Sequence, residues 1–214
     1  MCLLGIAGQT TRVLNPNFVY LAVALAIVGS GNYVRQTWRG NTQPHRVTWT
    51  LWALEGILAF IVEVQAHVGI ASFMTLTLGT IPCLVLVASF RNAHAVWKID
   101  RIDVACGVLS LAGMVFWALV NAPTVALVSF VAADFVAALP TYRKSWSSPK
   151  SETASAFIFG SVNCGITIFT LKHITTAGAL FPGMIFFTDA VLSVLIVFQL
   201  GPRITKRRNE KVAA

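Results

Sequence analysis

Between Arg12 and Arg35 the chain carries no charged residue, and similar apolar runs recur along its length, separated by short basic segments. A run of roughly 20 apolar residues spans the hydrocarbon core of a bilayer as a helix. Water is absent there, so backbone N–H and C=O groups must bond within the segment, which an α-helix achieves. Seven spans follow: Phe18 to about Asn32, Arg46 to Ala66, Ser72 to Phe90, Val104 to Val120, Pro123 to Tyr142, Thr153 to Leu171 and Leu180 to Leu200. Asn15-Pro16-Asn17 marks the start of the first, His67-Val68-Gly69 separates the second from the third, and Asn121-Ala122-Pro123 divides a charge-free run too long for one helix. Arg203 to Lys211 reads as a basic tail.

Composition agrees with this reading. The apolar set makes up 56% of the 214 residues and charged residues 11%, against about 25% charged in soluble domains. That excludes a water-soluble globular protein and leaves no room for a separate soluble domain. The net charge of +8 would suggest nucleic acid in a soluble chain, but here the basic residues lie between apolar spans, as membrane orientation requires. Fourteen of the sixteen fall on one side of the seven-span layout, and only Arg12 and Lys172 fall on the other. The C-terminus is therefore expected in the cytoplasm and the N-terminus outside, in a plasma (bacterial inner) membrane. Met1 to Gly8 lacks the basic region and cleavage site of a signal peptide, so the first span is expected to direct insertion.

Two halves of the chain match at a shift of 108 residues. Tyr33-Val-Arg-Gln-Thr-Trp38 falls on Thr141-Tyr-Arg-Lys-Ser-Trp146, pairing Arg35 with Arg143 and Trp38 with Trp146. Both segments are read as loops leaving a helix on the cytoplasmic side. The same shift pairs Val23, Ala24 and Val28 with Val131, Ala132 and Val136, and Phe73 with Phe181. Spans one to three thus match spans five to seven, and the unmatched fourth lets the two units share one orientation. The division expected is an N-terminal segment 1–16, a first three-helix repeat 17–90, a loop and linker helix 91–121, a second repeat 122–202 and a tail 203–214.

This all-α layout, together with Leu139-Pro140-Thr141-Tyr142-Arg143-Lys144-Ser145-Trp146, Pro149 and Glu152-Thr153-Ala154-Ser155, resembles the PQ-loop superfamily and its SWEET-type sugar transporters. Thr141 stands where that family's Gln would be, and the first repeat has Asn32-Tyr33 with no proline. The chain is also similar to a widespread group of small bacterial membrane proteins without assigned activity. The SWEET-like resemblance implies alternating access between two three-helix bundles, a sugar-like solute, and a pocket between the bundles at mid-membrane. It makes Glu55 and Asn163, which coincide at the 108 shift, candidates to bind that solute.

The residues themselves leave several roles open. Pro140 removes a backbone donor near the end of span five, and its counterpart Asn32 follows Gly29-Ser30-Gly31, so Pro140, Gly29, Gly31 and Asn32 are hinge candidates. Gly29 and Gly31 could equally serve close helix packing. An ionised Glu55, Asp134 or Asp189 at mid-span costs about 2.5–3.5 kcal/mol, so all three must face protein or water. Asp134 and Asp189 are candidate proton sites, with interhelical hydrogen bonding as the alternative. Trp49 and Trp52 precede Glu55 by six and three positions, an aromatic-plus-polar arrangement suited to a small polar solute. Ser155, Asn163, Thr167 and Thr170 form a polar stripe that would line a path or bond to neighbouring helices. Trp38, Trp97 and Trp146 are expected at the membrane interface.

Other chemistry finds no support. Glu63 lies nearer the outer end of span two, and His67 and His173 are too few for a metal site. Cys2, Cys83, Cys106 and Cys164 show neither metal-ligand spacing nor a disulfide framework. No nucleophile or phosphate-loop motif appears, and the last span has no lysine for a retinal Schiff base. The expectation is a transporter without enzymatic activity or cofactor, whose partners are the lipid bilayer and a small polar solute, not nucleic acid; a homo-oligomer is left open. A proton-coupled amino-acid or metabolite transporter and a non-transporting scaffold or accessory subunit are the alternatives. Lys206-Arg207-Arg208 would draw the tail toward anionic lipid.

Overall fold

The computed structural model describes residues 14–15, 17–65, 72–91, 98–120, 123–171 and 176–213. Its described residues form eight α-helices and no strand. These are α1 (Phe18–Trp38), α2 (Arg46–Gln65), α3 (Ser72–Arg91), α4 (Arg101–Leu119), α5 (Pro123–Ser147), α6 (Ser155–Thr170), α7 (Thr176–Phe198) and α8 (Leu200–Ala213). A short 3-10 helix, Pro149–Ser151, separates α5 from α6. Arg12, His67, Trp97, Lys172 and His173, and the side chains of Glu63 and Phe73, lie outside what is described.

Two sequence expectations are corrected. Tyr33–Trp38 and Thr141–Trp146 are not loops but the last turns of α1 and α5, which continue past their apolar spans. The reason is packing: Tyr33, Thr37, Thr141, Lys144 and Ser145 are buried, while Arg35, Trp38, Arg143 and Trp146 face outward, so these turns are amphipathic. The basic tail is likewise helical, beginning just after Gln199, whose φ of 49° breaks it from α7. Gly201 in its first turn lies against the Trp146 carbonyl, where a Cβ would collide.

The helices pack in a repeated pattern. α3 contacts both α1 and α2, and α7 contacts both α5 and α6. α1 also lies on α6 and α2 on α5, while α4 covers α5 and touches α2. A shift of 108 residues carries α1 onto 126–146, α2 onto 154–173 and α3 onto 180–199, close to the bounds of α5, α6 and α7. Glycine sets the tightest approach: Gly56 on α2 and Gly79 on α3 face each other so closely that a methyl on either would strike the other backbone.

The distribution of polarity is inverted relative to a soluble protein. α4 exposes Val104, Val108, Val115, Phe116 and Leu119 but buries Asp103, Gly107 and Ser110. Elsewhere Leu84, Val87, Phe187, Val194 and Phe198 are exposed while Glu55, Asp134, Asn163 and Asp189 are buried. α4 and the Ala179–Phe198 stretch of α7 are long and apolar enough to cross a membrane, and only 22% and 28% of them are buried within the chain. A soluble core helix of that composition would be mostly covered.

Polar bonding gathers the basic helix ends into one region. Asn32 of α1 reaches Ser155 of α6 at 3.1 Å, while Leu14 N–H bonds to the Phe169 carbonyl at the opposite end at 3.0 Å, so α1 and α6 run antiparallel. Arg46 donates to the Ser89 carbonyl at 2.6 Å, joining the start of α2 to the end of α3. Between α5 and α6, Glu152 receives Lys144 Nζ at 2.7 Å and the Tyr33 hydroxyl at 2.6 Å. Lys144 also donates to the Gln43 carbonyl, Gln43 N–H bonds to the Ser151 carbonyl at 2.9 Å, and the Thr42 and Thr153 hydroxyls meet. These bonds form a latch between the α1–α2 and α5–α6 connections. Beside it, Asp100 and Asp103 cap α4 reciprocally and pair with Arg143.

Both members of the Lys144–Glu152 pair are fully buried. Replacing Glu152 with Ala leaves an uncompensated buried ammonium, with an expected loss of about 3–5 kcal/mol. Thermal unfolding of the purified protein should show this, and should show substantial recovery in Lys144→Met/Glu152→Gln.

His45 adds a pH dependence to the same region. Its Nε2 lies 3.2 Å from Asp103 Oδ2, with Lys144 and Glu152 also near. Burial pushes its pKa below the ordinary 6.5, more than the Asp103 carboxylate raises it. The unfolded chain therefore takes up this proton before the folded chain does, so the stabilisation is present above 6.5 and is lost as pH falls below that. The melting temperature should drop between about pH 7.5 and 5.5, and His45→Gln should flatten that drop.

Candidate functional site

One face of α2 presents Trp49, Trp52 and Glu55 at intervals of three, and the matching face of α6 presents Phe157, Gly160 and Asn163. Together with Ser30 on α1, Thr77 on α3, Asp134 on α5 and Thr188 and Asp189 on α7, they surround a cavity of about 100 Å³. Ala26, Ile81 and Ile185 complete six pairs of lining residues related by the 108 shift: Ala26 with Asp134, Trp49 with Phe157, Trp52 with Gly160, Glu55 with Asn163, Thr77 with Ile185, and Ile81 with Asp189. Both sets of helices that the 108 shift relates therefore line the cavity, and five of the six pairs place unlike side chains at related positions, the exception being the aromatic pair Trp49 and Phe157.

Aromatic rings form one wall. Trp49 packs edge-on to Trp52 at 5.3 Å between centroids, Phe157 lies 6.3 Å from Trp49 and 6.5 Å from Trp52, and Tyr33 stacks behind Trp49 at 4.9 Å. Tyr33 continues to Glu152, so the aromatic wall rests directly on the polar latch.

Carboxyl groups share the lining with these rings. Glu55 and Asp134 stand within hydrogen-bonding reach of each other, and Asp189 lies close enough to Asp134 to feel its charge. Ser110 of α4 donates to the Ala133 carbonyl at 2.8 Å and sits 3.4 Å from Glu55, so α4 buttresses the pair. Asp189 occupies space that Gly160 opens: a Cβ at that position would collide with its carboxylate. No Lys, Arg or His is among the described residues that line the cavity.

Asn163 is the least satisfied group in the site. It is 0% exposed, lines the cavity, and neither its Oδ1 nor its Nδ2 has a hydrogen-bond partner among the described residues. A buried primary amide left so costs stability unless something else bonds to it.

The structure brings together Trp49, Trp52, Glu55, Asp134, Asn163 and Asp189 from four helices. Thr167 is not in the cavity lining; its hydroxyl donates to the Asn163 carbonyl at 2.9 Å, one turn back along α6. Thr170 bonds to the Thr167 carbonyl and Ser155 to the Gly29 carbonyl, so those members of the polar stripe have partners on helix backbones. Among the hinge candidates, Pro140 is buried within α5, Gly29 packs under Phe159 of α6, Asn32 reaches Ser155, and Gly31 faces open space. Trp38 and Trp146 lie at the basic end, 48% and 44% exposed, and Arg91 stacks over Trp38. Sequence reasoning missed Ser30, Phe157, Gly160, Thr77 and Thr188. Applying the 108 shift to Trp49 and Trp52 would have found Phe157 and Gly160. No group of three metal-ligating side chains occurs among the described residues.

No protein-family model matches the chain, and neither a curated protein nor a solved structure matches it.

If Asn163 is kept for a ligand rather than for packing, Asn163→Leu should hold or raise the melting temperature, since it removes an orphaned amide worth about 1–3 kcal/mol of desolvation. A structural asparagine would give the opposite sign. Differential scanning fluorimetry of the two proteins checks it.

Proposed function

We propose that this protein is a multi-pass membrane transporter that moves a small polar solute by alternating access between two three-helix units, α1–α3 and α5–α7. On this reading α4 is the linker that gives both units one orientation, the basic helix ends and α8 are cytoplasmic, and the N-terminus is outside. The observation that carries the proposal is the cavity between the repeats, whose walls are built from six residue pairs at one constant shift. Paired equivalent helices around a mid-membrane site are the arrangement in which one unit can rock against the other. The resemblance to SWEET-like proteins points the same way.

The latch supplies the closed end such a cycle needs. Its bonds from Tyr33, Thr42 and Gln43 to Glu152, Ser151 and Thr153 all cross from the first unit to the second. Opening toward the cytoplasm would require breaking them together. Pro140 suits the bending that follows, because it leaves α5 without one backbone hydrogen bond just below the cavity. Glu55 and Asp134, both buried and both lining the cavity, suit a proton-coupled form of the cycle.

Counterflow in proteoliposomes tests the proposal. A panel of labelled sugars, amino acids and amines, assayed at two external pH values, should reveal saturable exchange of at least one solute. Glu55→Gln and Asn163→Ala should each reduce that exchange by about tenfold or more while the protein stays folded. Unchanged exchange in both variants would remove this cavity from the pathway; a loss of thermal stability in both with no exchange by the parent would favour a scaffold.

A further inference from the structure

The chemistry of the cavity goes further than a small polar solute. Its charge is one-sided: carboxyl groups from α2, α5 and α7 line it, and no basic side chain is in the described lining. Three aromatic rings share the lining with them, Trp49, Trp52 and Phe157, with centroids 5.3 to 6.5 Å apart. Carboxylates attract a cation, and ring faces attract it again through their quadrupoles. Asn163, fully buried with both amide atoms unpartnered among the described residues, adds a donor and an acceptor to the same lining. Gly160, in place of the tryptophan found at the equivalent position 52, leaves room for the Asp189 carboxylate.

Resting on the transport reading, we propose that the solute is an organic amine with an apolar body, bound as its ammonium ion in competition with protons on the Glu55–Asp134–Asp189 group. A sugar would use the polar groups but would leave the carboxylates without a counter-charge. An ammonium ion uses them all, its charge toward Asp134 and Asp189, its N–H groups toward Asn163, and its body against Trp49 and Trp52. One cation entering displaces one proton from the carboxyl group, so net charge in the cavity is conserved. Among the described residues, the other titratable groups near these acids are Cys164 of α6 and Tyr142 of α5. Neither carries positive charge, and the Tyr142 hydroxyl is held by the Thr188 carbonyl at 3.2 Å.

Binding is tested by titrating the purified full-length protein with 2-phenylethylamine and with 2-phenylethanol, its neutral isostere, following intrinsic tryptophan fluorescence, with loss of the signal in Trp49→Phe/Trp52→Phe assigning it to the cavity. The amine should bind at least about tenfold more tightly than the alcohol near pH 8, and one-for-one exchange should weaken it by up to about tenfold per unit of acidification while the alcohol is unaffected. Asp189→Asn should abolish the preference for the amine. Gly160→Ala, which puts a methyl where the Asp189 carboxylate lies, should do the same and guards against misfolding of the first variant. Equal affinity for the two compounds, a pH-independent amine affinity, or a full amine preference in both folded variants would each overturn the proposal. The binding test is independent of flux: amine binding without counterflow would defeat the transport reading alone, whereas counterflow of a neutral sugar without amine binding would defeat this inference alone.

Discussion

Everything in this structure depends on where polar groups can go when the surroundings do not hydrate them. Apolar side chains cover the outer faces of α1, α3, α4 and α7, so the backbone must bond within helices and the acids must turn inward. Once inside, Glu55, Asp134 and Asp189 cannot be dispersed, because each needs a polar neighbour and the interior offers few. Their convergence on one cavity is a consequence of the same exclusion that makes the chain helical. Ser110, on the helix that covers this side, is one of the few hydroxyls that reach them.

The repeat supplies a symmetric frame, and its divergence supplies a site. Equivalent positions occupy equivalent places on the two walls, but Trp52 is matched by Gly160, Ile81 by Asp189 and Ala26 by Asp134. The first half therefore brings both tryptophans, and the second brings two of the three acids. A symmetric cavity would have placed like groups opposite like, leaving no distinction between the apolar body and the charged end of a bound molecule. Glycine allows the close approach of α2 and α3 at Gly56 and Gly79.

The latch has a different energetic character from the cavity. Lys144 and Glu152 are buried together and compensate each other, with Tyr33 and Gln43 taking up their remaining bonding capacity. Such a cluster is stable as a set and costly when half broken. Tyr33 belongs both to this cluster and to the ring stack behind Trp49, giving the cavity and the latch a shared side chain.

Apolar run length by itself determined an all-helical chain and the sites of its helices, and a constant offset of 108 residues is visible between its two halves. These are local or periodic properties: a helix needs only its own residues to satisfy its backbone, and a repeat is visible as a constant offset. Glu55, Asp134, Asn163 and Asp189 were legible as well, because a polar residue within an apolar span stands out. Only the tertiary structure decided that these four share one cavity, that Thr167 bonds to its own helix instead, and that Gly160 is the space in which Asp189 sits. It also decided the latch, whose partners Lys144, Glu152, Tyr33 and Gln43 look like ordinary loop and helix-end residues until the two connections meet. Such relations depend on which face of each helix turns toward which neighbour, and side-chain packing between distant segments sets that, not any property of the segments alone.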